Sequence, residues 1–257
     1  MRQDEIGKDS ADAFLGGRLM LAQPAKGHRA GLDAVMLAAA APVLAGQRVL
    51  DAGAGAGVVG LCIARRVEAC DVSGIEIDAG MAALAGGNAQ GNGLGDRYRA
   101  VCADLTAPLS RLEAKGLPRE SFDVVVANPP FHGAGCGSQS AEPSRRRASV
   151  MPDGGLEQWV RFMTAMAAPG GALLLVHPAA ALGDILSVLD GRCGAVNVFP
   201  LFPRLGEPAH RVIVGARKGS RAPLILRRGL VLHGDGHAFT PEAEAVLRHG
   251  AALDVNV

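Results

Sequence analysis

From Arg48 onward, short apolar runs alternate with longer segments whose apolar positions recur every three or four residues. The runs Arg48–Ala52, Asp71–Ile77, Arg97–Cys102, Phe122–Ala127, Ala172–His177, Val196–Leu201 and Arg211–Ala216 read as strands. Helices are expected between them over Val58–Val67, Ala79–Gln90, Leu156–Ala168 and Ala180–Leu189. Val124-Val125-Val126 and Leu173-Leu174-Leu175-Val176 are apolar at every position, as strands of a parallel sheet covered on both faces must be. The alternation predicts an α/β fold built on an open, doubly wound sheet.

The flanks read differently. Residues 1–12 are polar, Phe14 to Leu21 looks like a short strand interrupted by Gly16-Gly17, and residues 23–27 form a turn. Asp33 is placed to cap a helix over Ala34–Leu44. Beyond the last strand, Ala222–His233 adds a strand or hairpin. A helix over Pro241–Arg248 follows, with Thr240 as N-cap and Pro241 at its first position.

Composition narrows the class. A chain of 257 residues suits one sizeable α/β domain, and 49% hydrophobic with 20% charged residues excludes a disordered one. The net charge of +1 carries no general signal for nucleic acid. On charge alone, Arg145-Arg146-Arg147 and the group Arg217, Lys218, Arg221, Arg227 and Arg228 read as solvated faces. Five cysteines without a Cys-x-x-Cys pair imply reduced thiols in the cytoplasm and no metal site, with Cys62 and Cys102 expected in the core. No apolar run approaches the roughly eighteen residues of a membrane span.

Two motifs carry chemistry. In Val49-Leu50-Asp51-Ala52-Gly53-Ala54-Gly55-Ala56-Gly57 a strand ends, glycines turn, and a helix begins. Such a turn lets backbone and a helix N-terminus approach a ligand, and alone it is equally compatible with a nicotinamide or flavin. Glu76, at the end of the next strand and followed by Ile77, stands where a carboxylate accepts from ribose hydroxyls. Asp104, followed by Leu105, ends the third strand, where a side chain can accept from an adenine amino group. Three such features at successive strand ends point to an adenosine-containing cofactor, because ligands of open α/β sheets bind outside the carboxyl ends of the strands.

The second motif is Asn128-Pro129-Pro130-Phe131, directly after the fourth strand. The prolines force a rigid turn. The Asn128 side-chain carbonyl and the next backbone carbonyl are both acceptors. Together they can hold the hydrogens of an NH2 group and aim its lone pair at a methyl donor. Phe131 can stack on a planar substrate, worth ~1–3 kcal/mol for a flipped base.

The region from about Arg48 to Lys218 resembles the Rossmann-like class I methyltransferases that methylate amino or amide nitrogens. The resemblance implies seven strands, the last antiparallel, and S-adenosyl-L-methionine as cofactor. It further implies a cofactor loop at Asp51, Gly53, Gly55 and Gly57, ribose bound by Glu76 beside Ile77, and adenine beside Asp104 and Leu105. Asn128 with Pro129 would hold the target nitrogen, with Pro130 and Phe131 completing the catalytic loop. Residues 46–219 would form this domain, 1–45 an extension over the cofactor site, and 220–257 a C-terminal extension.

Further segments narrow the likeness to the bacterial tRNA1(Val) adenine-N6 methyltransferase family. They are Phe14-Leu15-Gly16-Gly17-Arg18, Gln23-Pro24, His28 through Leu37, Arg145 to Arg147, Pro208 through Val212, and Phe239-Thr240-Pro241-Glu242. That resemblance implies an adenine in tRNA as target and RNA as partner. It also implies a place for Gly31 and Asp33 in the cofactor pocket. Many relatives have Tyr where Phe131 stands; the ring is kept and a hydroxyl lost. In this light Arg145, Arg146 and Arg147 read equally as contacts to RNA phosphates, while Arg204, Arg211, Arg227 and Arg228 are weaker candidates. His28 is either structural or part of the pocket, and Trp159 is expected in the core. Protein glutamine N5 or ribosomal guanine N2 would suit the same loop. A cofactor- or RNA-binding module without turnover is a further alternative.

Overall fold

A computed structural model of the chain describes residues 10–24, 29–133, 150–151 and 155–255. The strands are β1 Ser10–Phe14, β2 Leu19–Gln23, β3 Arg48–Ala52, β4 Asp71–Glu76, β5 Tyr98–Cys102, β6 Phe122–Ala127, β7 His132–Gly133, β8 Val150–Met151, β9 Ala167–Pro178, β10 Cys193–Phe202, β11 Arg211–Lys218, β12 Ile225–Leu226 and β13 Leu230–Val231. The α-helices are α1 Leu32–Ala40, α2 Val58–Arg66, α3 Ala79–Gly91, α4 Leu109–Ala114, α5 Gly155–Met166, α6 Leu182–Leu189 and α7 Pro241–His249.

The seven long strands of the main sheet run in the order β10-β11-β9-β6-β3-β4-β5. From β9 to β5 all neighbours are parallel, whereas β11 is antiparallel to both β9 and β10. The Rossmann-like sheet expected from the sequence is therefore present, with its last long strand reversed. The chain winds outward from β3 through β4 to β5, then returns to the other side of β3 with β6 and continues to β9. Strand order thus reverses between β3 and β6, the place where an open sheet leaves a crevice.

Alternation within the apolar strands explains the covering on both faces. Val49, Val124, Val126, Leu174 and Val176 pack in one core layer with α1, α2, α3 and α7. Leu50, Val125, Ala127, Leu173 and Leu175 pack in the other, with α4, α5 and α6. Successive side chains of a strand point to opposite faces, so a strand buried twice has no polar position to spare. Each fully buried Leu, Val or Phe, such as Leu50 or Phe122, contributes roughly 1.5–3 kcal/mol.

The flanks correct several expectations. Residues 10–23 form an antiparallel hairpin of β1 and β2 around a turn in which Gly16 and Gly17 have positive φ. Helix α1 stops at Ala40, short of Leu44, because Pro42 holds Ala41 in an extended conformation. Its N-cap is Gly31, without a side-chain cap, so Asp33 is not the capping residue. Ala222–His233 forms no hairpin of its own: β12 and β13 each pair parallel with β10. Cys62 is buried as expected, but Cys102, the last residue of edge strand β5, is exposed. Helix α7 does carry Thr240 as N-cap, its hydroxyl accepting from the Ala243 N–H at 3.2 Å.

Two asparagines fasten the hairpin to α3. The Asn88 carboxamide accepts from the Ala22 N–H and donates to the Ala22 and Ala56 carbonyls, at 2.8, 2.9 and 2.9 Å. Asn92 makes the same pair of bonds to Met20, both at 2.9 Å. The side chains thus stand in for a neighbouring strand along the edge of β2. Among the described residues no helix is long and apolar enough to cross a membrane.

Candidate active site

Sheet register brings the chemistry-bearing residues to one edge. Ala52 of β3 lies opposite Ile75 of β4 and Ala127 of β6, and Glu76 lies opposite Cys102 of β5. The residues that follow these strand ends, Gly53, Ile77, Ala103 and Asn128, therefore emerge side by side beside the crevice between β3 and β6.

The turn after β3 is shaped by large side chains pressed against small ones. Gly53 has φ +66°, and a Cβ there would stand 2.3 Å from Trp159 Cη2. Gly57, at φ +86°, is the N-cap of α2, and a Cβ there would meet the Tyr98 hydroxyl at 2.9 Å. Trp159 is half-buried: it packs against the second core layer, as expected, and its ring edge also lies against Gly53 of the loop.

Beneath the turn Asp51 is fully buried, its Oδ2 accepting from the Gly60 N–H at 2.9 Å. Burial pushes its carboxyl up to about 7; the Gly60 N–H works against this and the Glu76 charge adds to it. The buried Tyr98 hydroxyl makes no hydrogen bond, and burial raises its pKa, with Asp51 and Glu76 adding to the effect. A phenol next to two carboxyls holds its proton.

Glu76 closes the turn: Oε2 accepts from the Gly55 N–H and Oε1 from the Asp78 N–H, both at 2.9 Å. Asp78 in turn caps α3, accepting from Gly80 and Met81. Ile77 between them is 68% exposed, an apolar side chain left bare at the strand end. Asp104 Oδ1 accepts from the Thr106 N–H at 2.8 Å and its hydroxyl at 2.7 Å, and Leu105 packs against the second core layer.

At the end of β6, the Asn128 Oδ1 is buried and has no hydrogen-bond partner. Pro129 is buried and Pro130 half-buried. Phe131 meets His177, at the end of β9, edge to face at 5.4 Å, and the Arg211 guanidinium lies 4.9 Å above its ring. Arg211 opens β11, and its Nε donates to Asp33 Oδ2 at 2.9 Å. Asp33 is drawn to this partner instead of to the backbone of its own helix. Burial lowers the His177 pKa and Arg211 lowers it further, with the Pro130 and Pro178 backbone opposing. Gly31 starts α1 behind this group, and the buried Gln23 ties the approach to it through the Ala30 N–H and carbonyl.

The methyltransferase small domain family matches residues 31–142 of the chain. The tRNA1(Val) (adenine(37)-N6)-methyltransferase of Aeromonas hydrophila is 30% identical over 195 residues, covering 74% of this chain and 77% of that protein. The chain belongs to this family. The Dickeya chrysanthemi enzyme of the same name is 24% identical over 228 residues, 86% of each chain. A crystal structure of Atu636 from Agrobacterium tumefaciens, described as a predicted O-methyltransferase, is 31% identical. It covers 88% of this chain and 100% of that one, with a TM-score of 0.74.

As a member of the tRNA1(Val) (adenine(37)-N6)-methyltransferase family, the protein is an N-methyltransferase that uses S-adenosyl-L-methionine. The residues expected at its site, Asp51, Gly53, Gly55, Gly57, Glu76, Ile77, Asp104, Leu105 and Asn128 to Phe131, all lie at the carboxyl ends of β3 to β6. Asp33 joins them through Arg211, across 178 positions of sequence. Arg145, Arg146, Arg147 and His28 lie outside the described residues. Arg204 Nη1 donates to the Gly234 and Gly236 carbonyls, Arg227 Nε to Asn197 Oδ1, and Arg228 pairs with Glu242. Sequence reasoning missed Tyr98, Asn88 and His177, whose importance comes only from what they touch.

Proposed function

We propose that the protein methylates N6 of an adenine in tRNA, with the target amino group held by Asn128 and the Pro129 carbonyl and the base stacked on Phe131. The buried, unpartnered Asn128 Oδ1 carries this reading. Leaving such an acceptor empty costs about 1–3 kcal/mol, which an incoming N–H recovers. An exocyclic NH2 has two hydrogens to give, and two carbonyl acceptors in line select it over a hydroxyl.

The cofactor end fits S-adenosylmethionine. Each Glu76 oxygen already takes one N–H, and a carboxylate has about four lone-pair sites, so both remain able to accept a ribose hydroxyl. Exposed Ile77 offers an apolar face to a flat purine, with Asp104 and Leu105 beyond it. Gly53, Gly55 and Gly57 keep the turn low over the crevice, Asp51 supports it from below, and Gly31 and Asp33 border it. The bound cofactor supplies a methyl group already activated by its sulfonium.

What the chain must do is position. Asn128 and Pro129 would hold the amino group by its hydrogens and turn its nitrogen lone pair toward the activated methyl group that the bound cofactor would supply. The extra proton leaves the amino nitrogen. No protein nucleophile is needed, and orientation supplies the rate. The names of the relatives give tRNA1(Val) and adenine 37, which supports a cytoplasmic tRNA substrate. Arg145 to Arg147 are assigned to its phosphates.

The test is mass spectrometry of nucleosides from tRNA incubated with enzyme and S-adenosylmethionine. N6-methyladenosine in the tRNA is the expected product. Its absence, or a methylated ribose oxygen in its place, overturns the assignment.

A further inference from the structure

The aromatic ring of the catalytic loop is held from three elements that are far apart in sequence. Phe131 follows β6, His177 is the last residue but one of β9, and Arg211 begins β11. The guanidinium lies over one face of the ring at 4.9 Å, and the imidazole meets it at an interplanar angle of 79°. Arg211 itself is fixed from behind, its Nε bonded to Asp33 Oδ2 at 2.9 Å and its Nη1 to the His210 carbonyl at 3.2 Å. The guanidinium is thus anchored through Nε and Nη1 while its central carbon lies over the Phe131 ring.

We propose that Arg211, anchored by Asp33, is the positioning residue that fixes the plane of Phe131 and reserves the opposite face of the ring for a flat substrate base. The inference rests on the proposed reading of Phe131 as the stacking residue. A phenyl ring has two faces, and one is taken. A cation over an aromatic face is attracted by the ring quadrupole, and a planar guanidinium additionally stacks, which an ammonium does not. The anchor answers an electrostatic need as well. An unpaired cation here would oppose the positive charge that develops on the methylated nitrogen, and the Asp33 carboxylate offsets it. The same pair ties α1, through Asp33, to the loop proposed to hold substrate.

The experiment uses the full-length enzyme, tRNA and S-adenosylmethionine. Arg211→Lys and Arg211→Ala are each expected to lower kcat/KM for tRNA about tenfold. The dissociation constant of S-adenosylhomocysteine, measured by calorimetry, should stay within about twofold of wild type. Arg211→Lys keeps a charge for Asp33, so it carries the test if the alanine variant fails to fold. In a Phe131→Leu background the same Arg211 substitution should cost less than about twofold, because its effect runs through the ring. A full tenfold loss in that background, or a matching loss of cofactor affinity, overturns the proposal.

An NMR titration of His177 separates this inference from the substrate assignment. Arg211→Gln removes a positive charge beside the imidazole, so the His177 pKa should rise whichever molecule is methylated. An unchanged value overturns the array. Wild-type enzyme that leaves tRNA unmarked overturns the assigned function, and with it only the identity of the stacked base.

Discussion

The Trp159 indole occupies the space that a side chain on Gly53 would need: its Cη2 stands 2.3 Å from the position of a Gly53 Cβ. Gly53 also holds φ +66°, so alanine there meets a contact and a backbone penalty together. Gly53→Ala is expected to weaken S-adenosylhomocysteine binding by about tenfold or more, read by calorimetry. Adding Trp159→Ala removes the clash but not the backbone cost of ~1–2 kcal/mol, so the double variant should recover only part of the affinity. Full recovery would show that the contact alone matters.

Asn128→Ala should abolish methyl transfer while leaving cofactor affinity within about twofold, because the role proposed for the side chain is to orient the amino group and not the methyl donor. Single-turnover transfer and calorimetry on the same preparation check the two halves. Retained turnover would remove the role assigned to the loop.

Asn88 satisfies three backbone groups of two separate segments. Asn88→Ala leaves the buried Ala56 carbonyl unpaired and frees the edge of β2, at about 1–3 kcal/mol for a group left unsatisfied. Hydrogen exchange of residues 19–23 should speed up before that of the central strands, since the hairpin loses its fastening first. Uniform acceleration across the sheet would contradict this.

The buried Asp51 gives stability a pH dependence of definite sign. Burial raises its carboxyl to about 7 in the folded protein, against 3.8 for an exposed aspartate. Between these the native state holds a proton that the unfolded chain has released. This contribution to stability is therefore complete below 3.8 and lost as pH rises through about 7. Denaturant midpoints measured at about pH 5 and about pH 8 should fall more in the wild type than in Asp51→Asn. An equal fall in both would place the proton elsewhere.

The long strands were legible because burial on both faces leaves an uninterrupted apolar run, as in Val124-Val125-Val126 and Leu173 to Val176. The candidate site was legible only as local motifs, Asp51 to Gly57 and Asn128 to Phe131, which the sheet register brings to one edge. What failed was pairing over distance. Asp33 has the composition and place of a helix cap, and nothing near it in sequence announces Arg211. Cys102 sits in an apolar run, yet that run is an edge strand and its last residue faces outward. Ala222–His233 was expected to add a strand or a hairpin; the two-residue strands β12 and β13 are too short to carry a period, and each pairs parallel with β10.

The reversed strand has a consequence for biosynthesis. Strand β11 lies between β9 and β10, which come before it in the chain and do not touch each other in the sheet. As the polypeptide leaves the ribosome, both wait as open edges until Arg211–Lys218 emerges to join them. Arg211 is the first residue of that wedge, so the guanidinium over Phe131 arrives late in translation. A nascent chain can assemble the Gly-rich turn after β3 well before the array around Phe131 is complete.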